Sequence, residues 1–254
     1  MYLKNPNAHQ ILKSYLRNPQ HSASELNQMA FSSVHFLTQG LPGGTSADAT
    51  IRERARATIL DVLRATDRAI LETLESLRSV GSSEKESLQE TLKGLLNVIE
   101  TVGFRLYLTL DISPDLRRED TKILSDETQS LLFVELVPLF KSLCEQSRPE
   151  QRRPIAATTT HYIMQTFSRV VSYHPEMVLD LTASLLTGIT LGYEFDSLAI
   201  SEVVKLTEVV LADHKDILMT SENAANLGTV LDVFLSAGWP EATRLVMRLE
   251  NAVR

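Results

Sequence analysis

Apolar residues recur every three, four or seven positions through most of this 254-residue chain, and this spacing limits its fold more than any other feature. Such intervals put apolar side chains on one face of an α-helix, whereas a half-buried β-strand requires alternation at every second position. Alternating β-branched residues are scarce, and the chain holds only ten glycines and nine prolines to interrupt a helix. The sequence therefore predicts an all-α protein.

The longest apolar pattern predicts an antiparallel helical hairpin over residues 47–110. Its first helix runs to about residue 80, with apolar positions at Ile59, Leu63, Ile70, Leu74 and Leu77. A glycine and two serines at 81–83 interrupt the pattern, and a second apolar series then forms the return helix. Two long helices joined by so short a turn pack side by side. We interpret the charged residues of the first helix as a solvated face: Arg52, Glu53, Arg54 and Arg56.

Shorter helices are predicted before the hairpin, so that residues 1–110 together form an N-terminal helical domain. Ser22 followed by Glu25 is a capping-box pattern, in which each side chain bonds the backbone N–H of the other residue. It predicts a helix that runs to about Gln39. The proline and glycines of residues 41–46 then predict a loop.

Residues 111–125 are polar and predict a connector to a C-terminal helical-repeat domain at 126–254. Helices in that domain have centres near residues 135, 180 and 227, which are forty-five and forty-seven residues apart. This period lies in the range of about 40 to 47 residues that HEAT and armadillo units have. We therefore expect a HEAT/armadillo-like α-solenoid stack. Its first helix is predicted from about Asp126 to Glu145 and carries the apolar residues Leu131, Leu132, Leu136 and Phe140.

Charge and cysteine content argue against several classes of protein. The net charge is −7, and from Glu176 onward twelve acidic residues stand against five basic ones, whereas residues 1–175 hold twenty of each. An acidic C-terminal third argues against DNA or RNA as a ligand, because the nucleic-acid backbone is itself negative. No run of about twenty mainly apolar residues predicts a membrane span. The N-terminus does not have the pattern of a secretory signal and a single cysteine suits a reducing compartment, so we expect a cytoplasmic location.

The sequence holds no motif that carries a known chemistry, and we therefore predict no cofactor, no metal ligand and no catalytic residue. None of the six histidines lies in a His-x-x-x-His or Glu-x-x-His arrangement, so no helical metal face is predicted. No Gly-x-Ser-x-Gly nucleophile motif is present. Cys144 lies beside Glu145, whose charge is expected to raise the pKa of the thiol and leave it inert. We interpret His161, beside an apolar face, as a hydrogen-bonded core residue rather than a ligand.

Two features are candidates for partner binding. Arg148, Arg152 and Arg153 form the one concentrated basic stretch, which can bind a phosphate or an acidic partner segment. The simpler interpretation is a solvated turn with acidic residues nearby. Trp239, the one tryptophan, lies between two predicted helices, where its ring either closes the corner between them or anchors a partner.

Three stretches near the C-terminus are the most distinctive in the chain: residues 206–218, 227–234 and 237–250. The sharpest part is Ala-Gly-Trp-Pro-Glu-Ala at 237–242. Together they resemble the extreme C-terminus of large bacterial multidomain proteins, such as STAND-type antiviral defence ATPases, in which a nucleotide-binding domain precedes a long helical-repeat region. The resemblance implies a sensor or scaffold region of a larger assembly. This chain departs from that pattern because it has no Walker lysine motif.

The leading functional interpretation is a non-catalytic module that binds another protein or another domain of the same assembly, because a helical stack exposes an extended surface. The resemblance implies that this role is ligand sensing or scaffolding in a bacterial defence assembly. One alternative is an enzyme, such as a hydrolase, whose carboxylates lie between helices. Another is a structural oligomer in which the hairpin of residues 47–110 pairs with its copy.

Overall fold

A computed structural model describes residues 2–17, 21–41, 45–110, 126–146, 157–187, 197–236, 240 and 243–247. Every regular element within these ranges is a helix, which confirms the all-α prediction. Two are short 3-10 helices, Tyr2–Lys4 and Lys215–Met219. The α-helices are α1 Pro6–Leu16, α2 Ala23–Val34, α3 Ser46–Ser79, α4 Ser82–Leu110, α5 Asp126–Gln146, α6 Ala157–Val170, α7 Pro175–Leu186, α8 Ser197–Asp213 and α9 Ser221–Ser236.

The chain divides into two compact units, Met1–Leu143 and Cys144–Arg254, with the division near the end of α5. The predicted connector at 111–125 lies outside the described residues. The domain boundaries predicted from sequence, at 1–110 and 126–254, therefore stay a prediction.

The first unit is built around three helices, α2, α3 and α4, each of which packs against the other two. Helix α1 and the first 3-10 helix lie against α3. The side chains buried between these elements include Leu26, Ile59, Leu63, Ile70, Leu95, Val98, Val102 and Leu106, whereas Leu74 and Leu77, also part of the predicted apolar pattern of α3, are half-buried. Burying one such aliphatic side chain contributes roughly 1.5–3 kcal/mol, so this apolar face is the main reason that the helices associate.

Helices α3 and α4 form the predicted hairpin. Only Val80 and Gly81 separate them, and the two helices pack against each other. Gly81 has open space around its α-carbon, so the turn there needs no close approach by a neighbouring group.

Among the described residues, capping boxes start α2 and α3. At α2 the Ser22 side chain accepts from the backbone N–H of Glu25, and the Glu25 carboxylate accepts from that of Ser22 at 2.9 Å, which confirms the sequence prediction. At α3 the same exchange joins Thr45 and Asp48, with Asp48 accepting from the Thr45 backbone N–H at 2.9 Å. Each pair satisfies backbone donors that the first turn of a helix leaves without partners.

Gly40, in the turn between α2 and α3, is a position that requires glycine. Its φ of +74° lies in the left-handed region. A β-carbon added there would lie 2.5 Å from the β-carbon of Asp48. The turn and the start of α3 therefore fit together only because this residue has no side chain.

Arg52, Arg54 and Arg56 of α3 do not form the solvated face that we predicted, since none of the three is exposed. Arg52, Arg54 and Arg68 each donate to a backbone carbonyl of another element: Gln39 O at 2.8 Å, Leu3 O at 3.0 Å and Leu16 O at 3.0 Å. The residue Arg52 as a whole is 9% exposed. The prediction holds for Glu53, which is exposed. It fails for the arginines because a long stem can be buried while its guanidinium reaches carbonyls that a neighbouring turn or helix end leaves unbonded.

Arg52 also connects α3 with α5. Its Nε lies 3.4 Å from Glu135 Oε2, and Arg56 donates to the same carboxylate oxygen. The side chains of Arg52, Arg56 and Glu135 are 11%, 23% and 34% exposed, so the cluster is shielded from solvent on most sides. We call these three residues the Glu135 cluster.

Three of the four apolar residues named for α5 in the sequence are buried, and one is exposed. Leu132, Leu136 and Phe140 are buried, together with Phe133, Leu139 and Leu143, but Leu131 is 62% exposed. Leu131 and Phe140 are nine positions apart, which is two and a half turns of a helix with 3.6 residues per turn. The two side chains therefore leave α5 on opposite sides, and Leu131 cannot share the buried face.

The second unit pairs every second helix. Helix α6 packs against α8, α7 packs against α9, and α6 also contacts α7. The 3-10 helix Lys215–Met219 connects α8 to α9 and packs mainly on α9. The buried side chains again follow the apolar pattern, including Ile163, Phe167, Val178, Leu181, Leu185, Val203, Leu206, Leu227, Val230 and Phe234.

Candidate interaction groove

The partner-binding candidates from sequence, Arg148, Arg152, Arg153 and Trp239, lie outside the described residues. Their roles therefore stay predictions. Among the described residues, a groove in the second unit offers a cavity for a partner segment, and no sequence pattern predicted it.

This groove runs between α6 and α8 and has a cavity volume of about 610 Å³. One wall comes from α6, with Gln165, Ser168 and Arg169. The other comes from α8, with Glu202, Lys205, Glu208, Val209, Ala212 and Asp213. The small side chains at Ser168, Val209 and Ala212 leave space between the longer ones.

Helical spacing explains why these residues line one groove. On α8 the buried residues Val203, Leu206 and Val210 form one face, and the groove residues beside them in sequence lie next to that face. On α6, Phe167 and Val170 are buried and bracket Ser168 and Arg169. Ser168 Oγ donates to the backbone carbonyl of Glu202 at 3.1 Å. This bond joins the two walls directly.

The groove carries both signs of charge. Lys205 Nζ lies 2.8 Å from Glu202 Oε1, and their side chains are 64% and 15% exposed. Such a pair three residues apart on a helix stabilises it by roughly 0.2–0.5 kcal/mol. Glu208 and Asp213 add negative charge on the α8 wall, and Arg169 adds positive charge on the α6 wall. A lining of this kind suits a polar or charged partner segment better than an apolar ligand.

The arrangement of carboxylates bears on the hydrolase alternative. Glu202, Glu208 and Asp213 all come from α8, and the α6 wall offers an amide, a hydroxyl and a guanidinium. A glycosidase-type reaction needs two carboxyl groups that flank the bond from opposite sides. Among the described residues, no group of three or more His, Cys, Asp or Glu side chains is placed to hold a metal ion.

The pKa of the Cys144 thiol is raised, as predicted, although the main cause is burial and not the charge of Glu145. Burial is the largest effect that raises the pKa of its thiol, and the nearby charges of Glu145 and Asp180 raise it further. The side chain is fully buried. A protonated, buried thiol is a weak nucleophile, because the thiolate is the reactive form.

His161 departs from the prediction of a hydrogen-bonded core residue. It is half-buried on α6, with its ring centre 6.0 Å from that of Tyr162. Its Nδ1 atom is buried and has no hydrogen-bond partner within the described part of the chain. The expected hydrogen bond is therefore not made by this nitrogen.

Comparison with protein-family models, with curated proteins and with solved structures finds no match to the chain. The resemblance of residues 206–250 to the C-terminus of STAND-type proteins therefore rests on the quoted residues alone. Within the described residues, no helix combines the length and the apolar character that a membrane crossing requires.

Proposed function

We propose that the protein is a non-catalytic binding module, a scaffold or sensor that holds another protein or another domain of the same assembly. The observation that carries the proposal is the pairing of α6 with α8 and of α7 with α9. Pairing of every second helix is the arrangement that stacked helical repeats adopt, with successive helices alternating between two layers.

A stack of this kind explains how a binding surface can form without a catalytic site. Each helix buries one stripe against its neighbours in the stack, and the opposite stripes of one layer lie side by side. We infer that the second unit is a short HEAT/armadillo-like stack. The predicted helix centres near residues 180 and 227, which belong to α7 and α9 of this unit, support the inference, because they are forty-seven residues apart and lie in the range of such units.

The groove between α6 and α8 is where we place partner binding. It lies along one layer of the inferred stack, and its lining holds five charged side chains. Charges in such a position select a partner by matching its charges and by excluding others. Lys205 is the residue that we choose for substitution on this surface, because its side chain is 64% exposed and forms an ion pair with Glu202.

The experiment combines affinity capture with a charge reversal. The purified chain is cross-linked in an extract of the cells that express it, and the captured proteins are identified. Each captured protein is then purified and titrated against the chain by calorimetry. We expect one of them to bind the wild type with defined stoichiometry, and Lys205→Glu to weaken that binding at least tenfold, or by about 1.4 kcal/mol.

A matched control distinguishes the groove from the general charge of the unit. Lys215→Glu makes the same change at an exposed residue on the 3-10 helix, outside the groove. It is expected to bind like the wild type. An equal loss of affinity in both variants would indicate that the partner binds outside the groove. Turnover by the pure protein that vanishes in Glu202→Gln would instead favour the hydrolase alternative.

The remaining parts of the proposal have their own support. A cytoplasmic location agrees with the single cysteine. The role in a bacterial defence assembly rests on the resemblance of the C-terminal residues, and co-purification with a nucleotide-binding ATPase would support it.

The oligomer alternative is tested by the solution mass at two protein concentrations, because a self-associating hairpin would give a mass that rises with concentration.

A further inference from the structure

We draw no further inference here: the strongest candidate, the exposed apolar stripe that Leu131 and Val134 form on α5, is an unpartnered helix face, and nothing in the structure shows what covers it.

Discussion

Arg52 shows how one side chain can hold several elements in place. Its guanidinium donates to the Gln39 carbonyl and pairs with Glu135, and its side chain is 11% exposed. Removing one partner of a shielded charge destabilises a protein more than the pair itself stabilises it, because the remaining charge stays out of water without compensation. The contribution of Arg52 to stability therefore depends on residues that are distant from it in sequence, such as Glu135.

We predict that Glu135→Gln destabilises the first unit. The substitution removes the negative charge that Arg52 and Arg56 share. Full loss of a buried partner destabilises by about 3–5 kcal/mol, but Glu135 is 34% exposed and Arg52 keeps the Gln39 carbonyl. We expect the free energy of unfolding to fall by about 1–2 kcal/mol in urea titrations. Glu127→Gln, at an exposed position of the same helix, is the control and should change it little.

A second prediction concerns the pH dependence of the α3 capping box. Hydrogen bonds from the side chain and backbone of Thr45 hold the pKa of Asp48 below its ordinary value of 3.8. A lowered pKa in the folded state means that the stabilisation is present above pH 3.8 and is lost as the pH falls through the folded pKa. Asp48→Asn should therefore lower the thermal midpoint at pH 7, and this deficit should shrink on acidification below pH 3.8.

The measurement for Asp48 is a series of thermal midpoints from pH 7 to about pH 2. Glu53→Gln is the control, since Glu53 is exposed on the same helix. It should track the wild type across the range. A constant deficit for Asp48→Asn at every pH would show that packing, and not the charge of the carboxylate, is what the substitution removes.

At the residue scale, contacts between residues close in sequence could be predicted, whereas contacts between distant residues could not. The Ser22 and Glu25 box follows from two residues three positions apart. The Thr45 and Asp48 box has the same spacing, with Asp in place of Glu, but the proline and glycines just before it favour a loop over residues 41–46, and the box was not predicted. Arg52 and Glu135 are 83 positions apart. No local pattern encodes such a pair, so a sequence reading treats the arginine as solvated.

At the scale of the element, α5 tests how far an apolar residue indicates a buried one. Leu131 and Phe140 both belong to the apolar residues of this helix, and helical geometry places them on opposite sides. Phe140 is fully buried and Leu131 is 62% exposed. The prediction of the helix was right, but apolar residues alone do not indicate which side of the helix is buried.

We predict a large difference between two truncations on this helix. Phe140→Ala removes a fully buried ring and should lower the free energy of unfolding by about 3–5 kcal/mol. Leu131→Ala changes an exposed side chain and should alter it by no more than about 0.5 kcal/mol. Urea titrations followed by circular dichroism measure both. Similar losses in the two variants would mean that Leu131 is covered in solution, by a partner or by another copy.

At the scale of the whole molecule, the sequence predicted the class, most helices and the α3–α4 hairpin, but not which helices that are not consecutive in the chain pack together. An apolar stripe such as that of α8 says that one face is buried, and it does not say against which helix. The choice of α6 as the partner of α8 depends on complementary shape over many side chains. The α6 and α8 groove escaped prediction for the same reason, because its two walls are more than thirty positions apart in sequence.

The pairing in the second unit gives a prediction for hydrogen exchange. Leu206→Ala shortens a buried side chain of α8 and leaves a cavity in its place. Val230→Ala does the same in α9. In a stack, destabilisation passes chiefly to the packing partner. We expect Leu206→Ala to lower amide protection in α6 more than in α7, and Val230→Ala to lower it in α7 more than in α6. Uniform loss of protection in both variants would contradict a layered stack.

The carbonyls that accept from α3 arginines belong to Leu3, Leu16 and Gln39, and each is a main-chain group. Every amino acid supplies such an oxygen, so these attachment points persist whatever side chain occupies the accepting position. The donors have no such freedom, since lysine has a single ammonium in place of the planar fork. The hydrogen bonds therefore depend on the arginines and not on the accepting side chains, and what limits Leu3 and Leu16 is a different constraint, the burial of their side chains.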